Sequence, residues 1–108
     1  MFARLTELNI RVEKRTELLK KMKEDILPIL RKQVGYVNII MLENEFEYNK
    51  PFVITFWHTK QDIERYEKET FPKVKQVLEP FLYVPPVVRF CKVEETISEK
   101  LIETVAAA

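Results

Sequence analysis

The sequence predicts a single α+β domain of the ferredoxin-like class, in which two helices cover one face of an antiparallel sheet in the order βαββαβ. Three observations support this prediction. Apolar residues alternate with polar ones, or form short apolar runs, in four segments of strand length. They recur every three or four residues in two longer segments, one after the first strand and one after the third. The second and third strands are joined by a short polar connection, which predicts a hairpin.

The first strand is predicted to run from Phe2 to Val12. Its apolar and polar residues alternate, which is the pattern of a half-buried strand. The apolar positions are Phe2, Leu8, Ile10 and Val12, and the polar positions between them are Glu7, Asn9 and Arg11.

The first helix is predicted from about Lys14 to Lys32, where apolar residues have the spacing of an amphipathic helix. Pro28 lies inside this segment. Because proline removes a helical hydrogen-bond donor and crowds the preceding turn, we expect a kink or a break near Glu24 to Leu27. Gly35, the only glycine, is then expected to end the helix, since it adopts positive φ without strain.

The second and third strands are predicted over Tyr36 to Glu43 and Phe52 to His58, with Asn44 to Lys50 as the hairpin connection. Thr59 follows immediately, and Asp62 stands three residues later. This Thr-x-x-Asp spacing is typical of a helix N-terminus. It predicts that the second helix begins directly after the third strand.

In the segment that follows, prolines mark the boundaries of the predicted helices and strand. Pro72 is expected to restart the second helix, and the pair Pro85-Pro86 ends the helical pattern before a fourth strand over Val87 to Glu94. A short terminal helix is predicted after it, with one apolar side. We therefore divide the chain into a ferredoxin-like domain over residues 1–95 and a C-terminal helix over residues 96–108. The apolar side of the terminal helix consists of Ile97, Leu101 and Val105.

Composition excludes several classes of function. The 108 residues include 18 basic and 17 acidic side chains, so the chain is not an evident polyanion binder and we expect no nucleic acid partner. One glycine cannot build a glycine-rich phosphate loop, and one cysteine cannot form an internal disulfide. No apolar run approaches the length of a membrane span, and no signal peptide is recognised. We expect a cytoplasmic protein without a membrane partner.

The two middle strands are apolar on both faces. Phe52, Ile54 and Phe56 lie on one side of the third strand, and Val53 and Trp57 on the other. An antiparallel sheet with one face in water alternates apolar and polar residues, so two apolar faces require two covers. Helices provide one cover, and a second copy of the sheet is the simplest other cover. Burying a few hundred Å² per subunit at about 25 cal/mol/Å² is worth roughly 10 kcal/mol before association costs. We expect a homodimer through the sheet face.

Two segments of the chain carry a family resemblance. Gly35-Tyr36 leads into the second strand, and Phe56-Trp57-His58-Thr59-Lys60-Gln61-Asp62 leads out of the third. They resemble the "Pro-Gly-aromatic" and "aromatic-Trp-x-Ser/Thr-x-x-Asp" segments of the antibiotic-biosynthesis-monooxygenase-like family. The resemblance covers nearly the whole chain. It implies a homodimeric α/β barrel.

The resemblance also implies a pocket, because in this family the strand tryptophan lies beside a space enclosed between sheet and helices. We expect Trp57, Tyr66, Asn38 and Thr6 to line it and to bind an apolar small molecule. Each also has a structural interpretation: Trp57 and Tyr66 as core aromatics, and Asn38 as a buried amide that holds the fold through hydrogen bonds. Cys91 is expected to be a packed and unreactive thiol.

Members of the family include cofactor-free oxygenases acting on quinols or polyketide aromatics, so the resemblance implies an oxidoreductase that needs no metal or flavin. In these enzymes the substrate loses a proton and passes an electron to O2, which requires a dry pocket with polar groups. The polyketide-oxidising relatives have an Asn and a Tyr where this chain has Val53 and Ile63. The haem-degrading relatives have a Trp and a His where it has Tyr66 and Gln76, so haem degradation is disfavoured.

Three functions follow from these observations. The first is a cofactor-independent monooxygenase acting on a small aromatic or quinol. The second is a binding or dimerisation module that has kept the barrel and lost the chemistry, which the missing polar residues favour. The third is an RNA-binding domain of the same topology, which is disfavoured because Pro51 and Val53 replace the small residues of its central aromatic motif.

Overall fold

A computed structural model describes residues 1–98 and confirms the α+β class. All neighbouring strands pair antiparallel, in the order β2-β3-β1-β4. The elements follow one another as predicted for a ferredoxin-like chain. The strands are β1 (Phe2–Glu7), β2 (Tyr36–Leu42), β3 (Phe52–Trp57) and β4 (Val87–Lys92), and the helices are α1 (Arg15–Lys21), α2 (Leu27–Arg31), α3 (Lys60–Glu69) and α4 (Phe71–Leu78).

The first strand is shorter than predicted, since β1 ends at Glu7 and not at Val12. The next residues stay extended, but they leave the regular ladder. The backbone amides of Leu8 and Ile10 donate to carbonyl groups of the connection between β2 and β3, at 3.1 and 2.8 Å. Ile10 also forms an isolated bridge with Leu82. Both apolar residues remain buried, so the alternating pattern continues past the end of the strand.

The first helical segment changes its winding where the kink is predicted. A π-helical turn over Met22–Ile26 separates α1 from α2, and the amide of Leu27 donates to the carbonyl of Met22. Pro28 follows at the first turn of α2. Proline has no amide N–H to pair with the preceding turn, and the wider π-helical turn lies directly before it. The chain therefore stays helical through the irregularity.

Gly35 occupies a turn after α2 and does not directly cap the helix, which ends at Arg31. The turn is closed by the amide of Tyr36, which donates to the carbonyl of Gln33 at 3.3 Å. Gly35 has a φ of +82°, and a Cβ atom at this position would overlap the side chain of Asp62. Glycine is thus required both for the backbone conformation and for the close approach to α3.

The predicted start of the second helix is confirmed. The hydroxyl of Thr59 accepts from the amide of Asp62 at 3.2 Å and donates to its carboxylate at 2.7 Å. The hydrogen bond from Thr59 is the main cause that lowers the pKa of Asp62 below its ordinary value, and burial opposes it. The helical segment is divided at Thr70, and Pro72 lies in the first turn of α4, as predicted.

The sheet has an inner face, which packs against the helices, and an outer face. Strand pairing places residues of β1, β2 and β3 alternately on the two faces. The buried core consists of inner-face residues, the segment after β1 and the apolar sides of the helices. The inner face carries Phe2, Arg4, Thr6, Ile39, Met41, Val53, Thr55 and Trp57, and the outer face carries Leu5, Ile40, Phe52 and Ile54.

The prediction that Cys91 is a packed thiol is wrong. Cys91 is exposed on the edge strand β4, not packed, because this strand has a neighbour on one side only. The predicted terminal helix falls mainly outside the described residues, where Leu101 and Val105 lie, and Ile97 is exposed. Within residues 1–98, no helix is long and apolar enough to cross a membrane.

Candidate functional site

Polar side chains occupy the middle of the inner face, surrounded by the apolar core. Strand alternation directs Arg4 and Thr6 of β1 inward, and Thr55 of β3 pairs with Arg4 in the ladder. Only 5% of the Arg4 surface is exposed. Arginine is rarely buried to this degree unless its charge is paired, so its contacts decide what this part of the molecule can do.

The guanidinium group of Arg4 is held by three kinds of contact. Its Nε forms an ion pair with the carboxylate of Glu67 on α3. Its Nη1 donates to the hydroxyl of Thr6 at 2.8 Å. The group lies over the rings of Phe71 and Tyr66, with its central carbon 4.1 and 5.4 Å from the ring centroids, a favourable cation–π arrangement. Among the described residues, Nη2 has no hydrogen-bond partner.

An enclosed cavity of about 40 Å³ lies between the sheet and the helices. Its size admits a water molecule and excludes an aromatic ring. Four polar side chains reach it, and the rest of its wall is apolar. The polar residues are Arg4, Thr6, Thr55 and Tyr66.

Tyr66 contributes a neutral hydroxyl to this wall at physiological pH. Burial raises the pKa of Tyr66 to about 12, and the positive charge of Arg4 opposes the shift. A phenol with this pKa stays protonated at pH 7. It can donate a hydrogen bond without adding negative charge to the cavity.

A larger groove lies between α3 and β4, on the other side of Glu67. Its volume is about 700 Å³, which is within the usual range for small-molecule sites. Glu67 lines the groove and also binds Arg4, which lines the enclosed cavity. The ion pair therefore joins a residue of the cavity to a residue of the groove, and the two spaces share no lining residue. The groove is lined by the apolar residues Phe2, Ile63 and Phe90, by the charged residues Lys60, Glu64, Glu67 and Lys68 of α3, and by Cys91 and Lys92 of β4.

Three of the four residues predicted to line a pocket come together on the inner face. Thr6 and Tyr66 line the enclosed cavity. Trp57 packs beside them, with its ring centroid 5.0 Å from that of Tyr66, and it is fully buried. The indole Nε1 of Trp57 donates to the hydroxyl of Thr55 at 2.9 Å. Trp57 therefore holds a residue that lines the cavity, without lining the cavity itself.

Asn38 is separated from the other three residues. Sequence parity predicts that Asn38 and Tyr36 share a face, but a β-bulge between them shifts the pairing. Tyr36 pairs with Trp57 of the inner face, whereas Asn38 pairs with Phe56 of the outer face. The extra residue of a bulge reverses the alternation that follows it. The Oδ1 atom of Asn38 accepts a hydrogen bond from the amide of Ile39 at 2.8 Å.

The two positions at which polyketide-oxidising relatives have polar residues are apolar and buried here. Val53 lines the enclosed cavity and Ile63 lines the groove. The polar chemistry of this inner face therefore comes from Arg4, Glu67 and the threonines. Within residues 1–98, no group of three or more His, Cys, Asp or Glu side chains could hold a metal ion.

No protein-family model matches the chain. No curated protein matches it either. Solved structures do resemble it. Several of them are named "putative antibiotic biosynthesis monooxygenase". Among these, the protein from Deinococcus radiodurans has a TM-score of 0.74 at 12% identity, covering 92% of this chain and 98% of its own. The protein from Caulobacter crescentus has a TM-score of 0.73 at 13% identity, covering 87% of this chain and 90% of its own.

A protein of unknown function from Nitrosomonas europaea has the same shape, with a TM-score of 0.71 at 11% identity over 91% of this chain and 93% of its own. At these identities the similarity concerns the fold, and it confirms the structural part of the resemblance seen in the sequence. The chain has the ferredoxin-like α+β fold found in structures named "putative antibiotic biosynthesis monooxygenase".

Proposed function

We propose that this protein belongs to the antibiotic-biosynthesis-monooxygenase-like family, and that it oxidises a small aromatic molecule or quinol with O2, without metal or flavin. The observation that carries the proposal is the groove between α3 and β4, whose lining includes three apolar side chains and Glu67, the ion-pair partner of the buried Arg4. An apolar site with a few placed polar groups is the usual form of a small-molecule site.

The residues around the groove suit such a reaction. A planar ring would lie against Phe2 and Phe90, with Ile63 on the opposite wall. The substrate supplies all the electrons: one atom of O2 enters the ring system, and the other leaves as water. The substrate must first lose a proton, and negative charge then develops on it. Lys60, Lys68 and Lys92 also line the groove, and a cation beside the substrate would stabilise such charge.

The proposal is tested by oxygen uptake with a panel of quinols and anthrone-like aromatics. We expect consumption of O2 that depends on both protein and substrate, and a Phe90→Glu variant should lower kcat/KM at least about tenfold by placing a charge in the apolar groove. Phe90 is 57% exposed, so this change spares the core. Phe46→Glu is the matched control, because Phe46 is 96% exposed and lies outside the groove. Equal rates for the two variants would contradict the proposed location.

A binding function without catalysis is the second candidate. It is favoured by the apolar, buried Val53 and Ile63, which stand where the polyketide-oxidising relatives carry polar side chains. In that case no substrate of the panel consumes O2, but apolar aromatic ligands still bind and quench the fluorescence of Trp57, the only tryptophan. This result would reject the enzymatic proposal and support the binding function.

We also propose that the protein forms a homodimer in which the outer faces of the two sheets pack together. The helices pack on the inner face, and the outer face presents the apolar residues Leu5, Ile40, Phe52 and Ile54. These four are partly exposed in the single chain. A surface of this kind typically marks an interaction site, and a two-fold axis allows it to pack against its own copy.

A further inference from the structure

The groove between α3 and β4 carries positive charge on both of its walls. In β4, Phe90 pairs with Arg4 and Lys92 pairs with Phe2. Because Arg4 and Phe2 belong to the inner face, Phe90 and Lys92 are directed to the side of the sheet on which α3 lies. The lining residues of α3 are spaced by three or four positions and share one face of the helix. They are Lys60, Ile63, Glu64, Glu67 and Lys68.

Two ion pairs account for the acidic side chains of the groove. Glu67 binds Arg4, and a carboxylate oxygen of Glu64 lies 3.9 Å from the ammonium nitrogen of Lys60. Among residues 1–98, no other acidic side chain lines the groove. Lys68 and Lys92 form no ion pair with any described residue. Two positive charges of the groove therefore have no negative partner in this part of the chain.

From this arrangement we propose that the groove binds an aromatic molecule that carries a carboxylate group, and that Lys68 and Lys92 select the ligand for its negative charge. The inference rests on the proposed function, because it places the ligand in the same groove. It adds a charge requirement that the proposed function leaves open: the ligand is an organic anion and not a neutral ring.

The lysines favour an anion because a bound ring changes their surroundings. A ring that lies against the apolar wall displaces water and lowers the local dielectric around the ammonium groups that border it. An ammonium group that loses water without gaining a partner is destabilised. A carboxylate replaces the lost water with charge-assisted hydrogen bonds. Both Lys68 and Lys92 are exposed, so we expect a preference of several fold, as is usual for exposed ion pairs.

The apolar part of the groove determines which kind of anion fits. Its volume of about 700 Å³ and its three apolar side chains, Phe2, Ile63 and Phe90, suit a ring system. A small inorganic anion would pair with the lysines but leave this apolar surface in contact with water. A neutral ring would cover the surface but leave the lysines without a partner. An aromatic carboxylate does both.

The test compares 2-naphthoate with 2-naphthamide, which share the same ring and have nearly the same size but differ in charge. Each is titrated into the isotope-labelled full chain, and Kd is obtained from the shifts of backbone amide signals in NMR. At low salt we expect a Kd for 2-naphthoate at least about fivefold lower than that for 2-naphthamide. The shifts should be concentrated in α3 and β4.

A double variant, Lys68→Gln with Lys92→Gln, should bring the two Kd values to within about twofold of each other, while the apolar stems that remain preserve the binding of 2-naphthamide. Lys20→Gln with Lys73→Gln is the matched control. It changes the net charge equally, both of its lysines are exposed, and neither lines the groove. The control should keep the preference for 2-naphthoate. An equal loss in both double variants would show that net charge attracts the anion, and would overturn the inference.

Salt dependence tests the inference on the natural sequence without any variant. Raising NaCl from about 20 mM to about 500 mM screens exposed charges, so the Kd for 2-naphthoate should rise at least about threefold. The Kd for 2-naphthamide should not rise, because its contacts are apolar. A Kd for 2-naphthoate that is independent of salt would overturn the inference.

The outcomes separate this inference from the proposed function. Equal affinity for the two ligands overturns the charge requirement and leaves the groove as a site for neutral aromatics. Absence of shifts in α3 and β4 with either ligand overturns both proposals. A preference for 2-naphthoate that depends on Lys68 and Lys92, in a protein that consumes no O2 with the substrate panel, supports the inference and rejects oxidation.

Discussion

A charged group in the middle of the inner face is the most consequential residue-scale feature of this protein. Burying Arg4 requires its desolvation, which costs several kcal/mol per ion even after relaxation. Glu67, Thr6 and the rings of Phe71 and Tyr66 offset this cost. An apolar side chain at position 4 would fill the same space without these partners, so the stability of the fold does not by itself explain an arginine here.

Tyr66 is predicted to make the free energy of unfolding depend on pH in the alkaline range. Its pKa is raised from 10.0 to about 12 by burial, so the unfolded chain loses this proton at lower pH than the folded one. The stabilisation is complete below pH 10 and is lost as the pH rises toward 12. Between pH 9 and pH 11 the free energy of unfolding should fall by about 1 kcal/mol more in the natural sequence than in Tyr66→Phe.

Urea unfolding at several pH values measures this difference. Tyr83→Phe is the control for the loss of a phenol hydroxyl, because Tyr83 is exposed. Identical pH profiles for Tyr66→Phe and the natural sequence would show that this hydroxyl is not held protonated by burial.

At the scale of elements, the turn between α2 and β2 is locked against the start of α3. Gly35 approaches the side chain of Asp62, and Asp62 in turn bonds to Thr59 and to Arg65 at 3.1 Å. The amide of His58 also donates to the carbonyl of Gly35 at 2.9 Å. One turn thereby aligns a strand end and a helix start, which places α3 over the inner face.

This contact predicts a specific pattern of stabilities. Gly35→Ala should reduce the free energy of unfolding by about 3 kcal/mol, from the strain of positive φ and from overlap with Asp62. Asp62→Ala alone should cost about 1 kcal/mol by weakening the cap. In the double variant the overlap with the carboxyl group is removed and only the contact with Cβ of residue 62, at 2.6 Å, remains, so the loss should be smaller than the sum of the two. Strict additivity in urea unfolding would show that the backbone conformation alone requires glycine.

At the scale of the whole molecule, the outer face of the sheet carries apolar residues that stay partly exposed among the described residues 1–98. The strands are apolar on both faces, and the helices pack on one. The interface that we propose would bring two sheets together and leave both grooves between α3 and β4 at the periphery, since α3 lies on the inner side of the sheet.

The expected mass in solution is twice 13.0 kDa, measured by sedimentation equilibrium. Ile54→Glu should convert the protein to a folded monomer, or weaken the dimer at least about a hundredfold, because it would bury a charge in an apolar interface. Phe46→Glu, in the exposed connection between β2 and β3, should leave the mass unchanged. A natural chain that sediments at 13.0 kDa at micromolar concentration would reject the homodimer.

Several features of the fold were predictable from local sequence because their causes are local. Periodicity predicts all four strands, Pro28 marks the region of altered helix winding, and Thr59 with Asp62 marks the start of α3. The end of β1 was not predictable, because Leu8 and Ile10 keep the alternating pattern while their amides bond to a distant connection. The bulge that moves Asn38 to the outer face likewise leaves no mark on the alternation of apolar residues.

The sequence by itself therefore determined the class of fold, the order of its elements and the two apolar faces of the sheet, since these depend on residues close together in the chain. Only the tertiary structure decided which side chains meet on the inner face. Arg4 and Glu67 are 63 residues apart in sequence, and no local sequence pattern identifies either residue as the partner of the other. Their pairing, and the donor that it leaves unpaired among the described residues, exist only once α3 has packed across β1.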